Sequence, residues 1–191
     1  MSGPRHDVHI SLPSWMGDVL RPVASLPGDE EAMRLAIRLA HENVEHRSGG
    51  PFGAVVYEQQ TGRLLAAGVN SVERLGNSML HAEVMALMLA QAAVGSYTLR
   101  ATQSSQRVLV TSCDPCAMCL GAILWSGVQR VVCGAGRADA AAAGFDEGPV
   151  TRASYRYLER RGVSFTRGVL RREAAAVIGG YAGRCGLVYN G

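Results

Sequence analysis

Two short segments dictate how this chain must fold: His81-Ala82-Glu83, and Asp114-Pro115-Cys116-Ala117-Met118-Cys119 some 35 residues later. An imidazole and two thiols make three zinc ligands, the number that catalytic zinc sites take from protein while leaving the fourth position to water. Asp114-Pro115 reads as a helix start, because aspartate caps well and proline is tolerated at the first helical position. Cys116 and Cys119, three apart, then share one face of the first turn, where the helix dipole favours thiolate. His81 opens a second apolar helix, through Val84, Met85, Leu87, Met88 and Leu89. The fold must therefore bring two helix N-termini to one point. Glu83 is not needed as a ligand and is free to move protons.

Either segment alone says little. A C-x-x-C is often a structural half-site or a redox pair, but no separate second pair is present to complete a structural knuckle. Cys113 also lies three residues from Cys116. It precedes the Asp-Pro start and should end the strand Val108-Leu109-Val110-Thr111, so it is left out of the ligand set.

Along the chain, residues 1–27 read as an arm with Ile10, Leu12 and Trp15 as anchors, packed on the body or on a partner subunit. Asp29 is expected to cap a helix reaching about Arg47, with Met33, Ala36, Ile37, Ala40 and Val44 on one stripe. Gly53 to Tyr57 and Leu64 to Val69 read as a hairpin around Thr61-Gly62. Asn70 ends the second strand, and a loop leads to His81. After the first ligand helix, to about Val94, come the strand at Val108, the second ligand helix to about Trp125, and a strand from Val128 to Cys133. Helix from Ala138 to Ala143, helix from Tyr155 to Arg161, alternation of Val163, Phe165, Arg167 and Val169, and helix from Arg171 to Tyr181 follow. The β-α-β-α-β order implies parallel strands with helical crossovers. The expected architecture is a three-layer α/β/α sandwich on a five-stranded mixed sheet. Its divisions are the arm 1–27, a catalytic domain 28–182 and a tail 183–191.

Composition excludes some functions. With 48% hydrophobic residues the chain can bury a full core. No apolar run is long enough to span a bilayer, and residues 1–27 lack the apolar centre of a secretory signal. Cys113, Cys133 and Cys185 lie in apolar or glycine-rich surroundings and read as buried thiols. A soluble, reducing compartment, the cytoplasm, is expected. Every basic residue is arginine, and residues 151–191 hold eight arginines against Glu159 and Glu173, a net of +6. Arg152, Arg156 and Arg160 repeat at i, i+4, as on a solvated helix face. They are not interleaved with a cluster of stacking aromatics, and the whole chain is only +3, so nucleic acid is not the expected partner.

The combination H-x-E and P-C-x-x-C is the signature of zinc-dependent nucleobase deaminases. With Pro51-Phe52-Gly53-Ala54-Val55-Val56, Asn70 and Thr111-Ser112-Cys113-Asp114-Pro115-Cys116-Ala117-Met118-Cys119-Leu120-Gly121-Ala122, the chain resembles the cytidine deaminase-like superfamily. Gly144-Phe145-Asp146-Glu147-Gly148-Pro149 makes it similar, within that superfamily, to the bacterial guanine deaminases. The resemblance runs over roughly residues 30–190. It implies a cytidine deaminase-like fold, bound Zn2+, and hydrolysis of guanine to xanthine and ammonia by attack of zinc-activated hydroxide at C2. It implies His81, Cys116 and Cys119 as metal ligands, Glu83 as the principal proton shuttle and Glu147 as a second acid serving the departing C2 amine. Asn70 would bond the purine near its carbonyl, Ala82 would contact the base, and Phe52, Trp125 and Phe145 would wall the pocket. Tyr189 would complete the site from the tail, which in this family is often swapped within a homodimer. Neighbouring substrates are ammeline, guanosine and cytosine; a tRNA adenosine deaminase is the more distant alternative.

Overall fold

Strand side chains of alternating parity are buried on both faces of one sheet, which fixes a three-layer packing. The computed structural model describes residues 7–100, 105–184 and 186–188. The strands are β1 (Gly53–Glu58), β2 (Leu64–Val69), β3 (Arg107–Cys113), β4 (Arg130–Ala135) and β5 (Ser164–Arg167), in the order β2-β1-β3-β4-β5. β1 runs antiparallel to β2 and β3, whereas β3, β4 and β5 are mutually parallel. The expected five-stranded mixed sheet is thus present.

The helices are α1 (Met16–Leu20), α2 (Asp29–Glu45), α3 (Val72–Leu75), α4 (Ala82–Val94), α5 (Ala117–Ser126), α6 (Arg137–Ala142), α7 (Arg152–Arg160) and α8 (Arg171–Gly183). Ala54, Val56, Leu109, Val131 and Cys133 pack under α4, α5 and α7, where Ala86, Leu120, Ile123 and Leu158 meet them. Val55, Tyr57, Val108, Val110 and Val132 point the other way, to Met16, Met33, Ala36 and Leu39 of α1 and α2. Burying a Val or Leu side chain contributes about 1.5–3 kcal/mol, so a one-residue slip of any central strand is strongly disfavoured. α8 seals the end of β4 with Ala174, Ile178 and Tyr181.

Two glycines set how closely helices approach the sheet. A Cβ on Gly53 would lie 2.3 Å from the Ala36 carbonyl oxygen of α2. One on Gly68 would lie 2.4 Å from the Ala82 oxygen and 2.6 Å from the Ala86 nitrogen of α4. The obstacles are backbone, so no side chain can move aside. Gly68 seats the start of α4, and with it His81.

Several sequence expectations are corrected. Asp29 is the first residue of α2 rather than its cap, which is Gly28. Its carboxylate instead accepts from the Tyr57 hydroxyl at 2.9 Å and pairs with Arg130. The stretch between Asn70 and His81 is not plain loop, because α3 occupies its start. The fifth strand is shorter than the alternation suggested. The arm packs on the body through Met16 and Val19, both buried, more deeply than through the expected anchor Trp15. Arg152, Arg156 and Arg160 are exposed. Among the described residues, no helix is long and apolar enough to cross a membrane.

Candidate active site

The site lies beyond the C-terminal ends of β3 and β4, beside the point where the chain switches from building the β1–β2 side to the β4–β5 side. Such crevices are the usual ligand sites of open α/β sheets. His81 is the N-cap of α4 and Cys116 the N-cap of α5. Here too the sequence reading needs correction: Asp114-Pro115 does not start the helix. Cys116 takes the capping place itself, its Sγ accepting from the Cys119 backbone N–H at 3.5 Å. Asp114 turns its carboxylate toward Arg167, 3.6 Å away. Cys113 ends β3, as expected.

His81 Nδ1 lies 3.5 Å from Cys116 Sγ and 3.7 Å from Cys119 Sγ. The three donor atoms fall within 4.8 Å of one another. Tetrahedral zinc with ordinary Zn–S and Zn–N bonds places such sulfur and nitrogen atoms about 3.6 Å apart. The donor set therefore fits zinc without rearrangement. The protons agree. A hydrogen bond from Cys119, and then the His81 ring, pull the Cys116 thiol down to about 4 against the cost of burial. Cys119, the donor to Cys116 and itself buried, is held well above the usual thiol range. His81 is raised: burial opposes its charged form, but Cys116 and the carboxylates of Glu83 and Glu147 outweigh it.

Around this group lies a pocket lined by Phe52, Asn70, Glu83, Cys113, Asp114, Phe145, Asp146 and Glu147. Glu83 is 6% exposed. Burial, with the negative Cys116 sulfur, raises its pKa. Glu147 is pushed up to about 8 by burial and by the charges of Glu83 and Cys116. Two carboxylates beside one thiolate cannot all ionise cheaply. The Glu147 carbonyl accepts from the Ala117 N–H at 3.0 Å, tying its loop to the start of α5. Asn70 is 1% exposed. Its Oδ1 accepts from the Gly50 and Val72 N–H groups at 3.4 and 3.3 Å, while its Nδ2 has no acceptor among the described residues. A buried amide donor with no acceptor costs about 1–3 kcal/mol, which a carbonyl in the pocket would relieve. Phe52 and Phe145 meet edge-on, ring centroids 4.9 Å apart.

Residues 27–135 match the cytidine and deoxycytidylate deaminase zinc-binding region. The chain belongs to that family. It is 38% identical over 136 residues to a guanine deaminase from Bacillus subtilis, covering 71% of this chain and 83% of that protein. A solved structure of a guanine deaminase from Nitrosomonas europaea superposes with a TM-score of 0.87 at 38% identity, covering 95% of this chain and all of the other. A mutant of the protein NE0047 in complex with 8-azaguanine superposes at 0.88, also 38% identical, covering 96% of this chain and 100% of that one.

Of the residues singled out from sequence, His81, Glu83, Cys116, Asn70, Glu147, Phe52 and Phe145 line one pocket, with Cys119 completing the donor set. Trp125 does not join them. It sits near the C-terminal end of α5, more than two turns from the ligand end, and is 80% exposed. The Ala82 side chain is buried in the core, so only its backbone is left to meet a ligand. Tyr189 and Cys185 lie outside the described residues. Asp114 and Asp146 line the pocket without having been anticipated. Asn43 was also missed: it is fully buried and donates to the Gly50 and Asn70 carbonyls, each at 2.9 Å. Its signal was present, an amide on the buried stripe of α2, one turn beyond Leu39.

Proposed function

We propose that this protein hydrolyses the C2 amine of guanine, giving xanthine and ammonia. The observation that carries the reading is the buried Asn70 Nδ2, without an acceptor among the described residues, in the same pocket as two protonatable carboxylates and a zinc-type donor set. Guanine presents a ring carbonyl and, one atom farther round, an amine-bearing carbon between two ring nitrogens. The similar Bacillus subtilis protein is a guanine deaminase, and the NE0047 mutant is in complex with 8-azaguanine, in keeping with that match.

In this reading His81, Cys116 and Cys119 hold zinc, which supplies a water acidic enough to be deprotonated near neutral pH. Asn70 Nδ2 donates to the ring carbonyl and sets the base in register. Phe52 and Phe145 confine its plane. Glu83 takes the proton from the attacking water and delivers it to ring nitrogen. The oxygen bonds to C2, and the C2–N bond to the exocyclic amine breaks. Glu147, kept protonated by burial and by its neighbours, gives its proton to the departing amine, which leaves as ammonia, and the remaining proton of the C2 hydroxyl passes back to Glu147 as the C2 carbonyl forms. Both transfers occur within the pocket, as general acid–base catalysis requires.

We assign residues 1–27 to an arm, 28–182 to the deaminase domain and 183–191 to a tail. Val188 packs beside Gly144 and Phe145 of its own chain; exchange of that segment between two copies would preserve the contact. A homodimer is supported by α4 and α5, apolar around their circumference yet leaving Met88, Leu89, Met118 and Trp125 partly or fully exposed. Trp125 then belongs to the contact between copies. The described free thiols, Cys113 and Cys133 among them, suit a cytoplasmic enzyme of purine metabolism. The test is a panel of guanine, guanosine, ammeline, cytosine and adenine with zinc-loaded protein, following ammonia release. Turnover of guanine at least tenfold above the others is expected; preference for adenine or cytosine would overturn the reading.

A further inference from the structure

The N-terminal arm reaches the base-reading amide through hydrogen bonds that neither the metal site nor the core needs. Trp15 stacks on His46, ring centroids 5.2 Å apart and planes 6° from parallel. Its indole N–H donates to Ser48 Oγ at 3.0 Å. The Ser48 hydroxyl donates to Asn43 Oδ1 at 2.7 Å. The Asn43 amide in turn donates to the Asn70 carbonyl at 2.9 Å and to the Gly50 carbonyl at 2.9 Å. Gly50 closes the circuit, its N–H donating to Asn70 Oδ1. A second tie comes from the other side of Asn70: Arg74 of α3 donates to the Ser11 carbonyl and to Ser11 Oγ, and also to Ser71 Oγ at 3.1 Å. The Asn70 side chain itself accepts from the first N–H of α3.

Donors and acceptors along the first chain are matched, with a longer contact from the Ser48 hydroxyl to the Asn43 carbonyl at 3.3 Å. Asn43 is wholly buried, and its Oδ1 must take a donor or cost stability; Ser48 supplies it. The Ser48 oxygen is then free to accept, and Trp15 fills that place. The polarity of the chain fixes Asn43 with its NH2 toward Asn70, not away from it. Residues 11–15 thus grip both flanks of the turn carrying Asn70, from outside the region 27–135 that the family shares.

We propose that the arm is a strap that positions Asn70, with Trp15 and Ser48 as positioning residues for discrimination at the purine 6-position. This rests on Asn70 Nδ2 reading the 6-carbonyl. A slack Asn70 would bind a 6-carbonyl less well, while a 6-amine, which Nδ2 cannot bond, would gain or lose little. The chemistry at C2, run by Glu83 and Glu147, would be untouched.

The experiment uses full-length, zinc-loaded protein and two probes, guanine as substrate and 2,6-diaminopurine as competing ligand. Discrimination is the ratio of the 2,6-diaminopurine inhibition constant to the guanine KM. Trp15→Phe keeps the ring and deletes the N–H. Ser48→Ala cuts the relay, and Ser48→Thr keeps the hydroxyl. Trp15→Phe and Ser48→Ala are expected to narrow the ratio about three- to tenfold, the worth of one neutral hydrogen bond, with kcat within about twofold and zinc content unchanged. Ser48→Thr restores the ratio. Should Trp15→Phe and Ser48→Ala melt earlier yet discriminate like the parent, the arm is only a structural brace and the proposal fails. Asn70→Ala separates the layers. If it leaves the ratio unchanged, the base-reading role of Asn70 is wrong; if it collapses the ratio while the arm variants do not, the strap alone is refuted.

Discussion

Replacing Asn70 with alanine removes two kinds of hydrogen bond, and their magnitudes differ enough to be told apart. The Oδ1 contacts to Gly50 and Val72 are 3.4 and 3.3 Å long, at the weak end for N–H donors. Together they should contribute about 1 kcal/mol to stability. Deleting the buried Nδ2, unsatisfied among the described residues, returns about as much or more, so the Tm of the empty protein should stay within a few degrees of the parent. The Nδ2 group costs the empty protein something and repays it only when a carbonyl arrives. Its loss leaves that carbonyl unpaired in a pocket with little water, about 1–3 kcal/mol, so kcat/KM for guanine should fall about 5- to 150-fold. The ring carbonyl is bonded before and during attack at C2, so most of the loss should appear in KM. The assay follows guanine absorbance in zinc-loaded protein beside a thermal melt. A lowered Tm with unchanged kcat/KM would show that Asn70 merely caps the turn after β2, and would refute the reasoning.

Gly68→Ala drives a Cβ into the backbone of α4; a loss of about 1–3 kcal/mol and reduced zinc content are expected by melting and metal analysis. Gly179→Ala, exposed in α8 with nothing within 4 Å of its Cβ, should instead be neutral or stabilising. Zinc affinity, measured by chelator competition, should rise at least about tenfold per pH unit near neutrality, because loading must expel the proton that Cys119 holds well above the usual thiol range and any proton on the raised His81 ring. Glu147 has a folded pKa of about 8, above its ordinary 4.5. The stability it contributes is therefore complete below that ordinary value and lost as pH rises through 8. Glu147→Gln should then melt higher than the parent in metal-free protein at pH 8 while losing kcat. In the active enzyme kcat should fall on the alkaline side, at or below pH 8 once the cation draws the pKa down, and Glu147→Gln should abolish that limb.

The parts of the site legible in sequence are those whose chemistry is local. The i, i+3 thiols and the H-x-E segment announce their own faces, and the β-α-β order brings them together. The Asp-Pro dipeptide misled because capping rules weigh neighbours along the chain. Cys116 won the cap since its sulfur accepts from the Cys119 N–H and meets the His81 ring, while Asp114 found Arg167 on a distant strand. Asp29 was misread for the same reason, its partners Tyr57 and Arg130 lying on β1 and β4. Trp125 was placed in the pocket wall by the resemblance. Its position at the far end of α5 follows from about 1.5 Å of rise per residue, which sequence arithmetic could have supplied. Beyond the Asn43 amide on the buried stripe of α2, the contacts of Trp15 and Ser48 had no sequence signature, because they join separate segments through single side chains.

The account stands on a carboxylate beside the metal group driving the removal of guanine's amine. Incubating zinc-loaded protein with guanine, and measuring xanthine and ammonia together, tests it most directly. Equal amounts of the two products are predicted from the parent. A drop of about 10²-fold or more, the scale of general acid–base catalysis, is predicted for Glu83→Gln that still holds one zinc per chain. Undiminished turnover by a zinc-replete Glu83→Gln, or no xanthine from the parent, would contradict it.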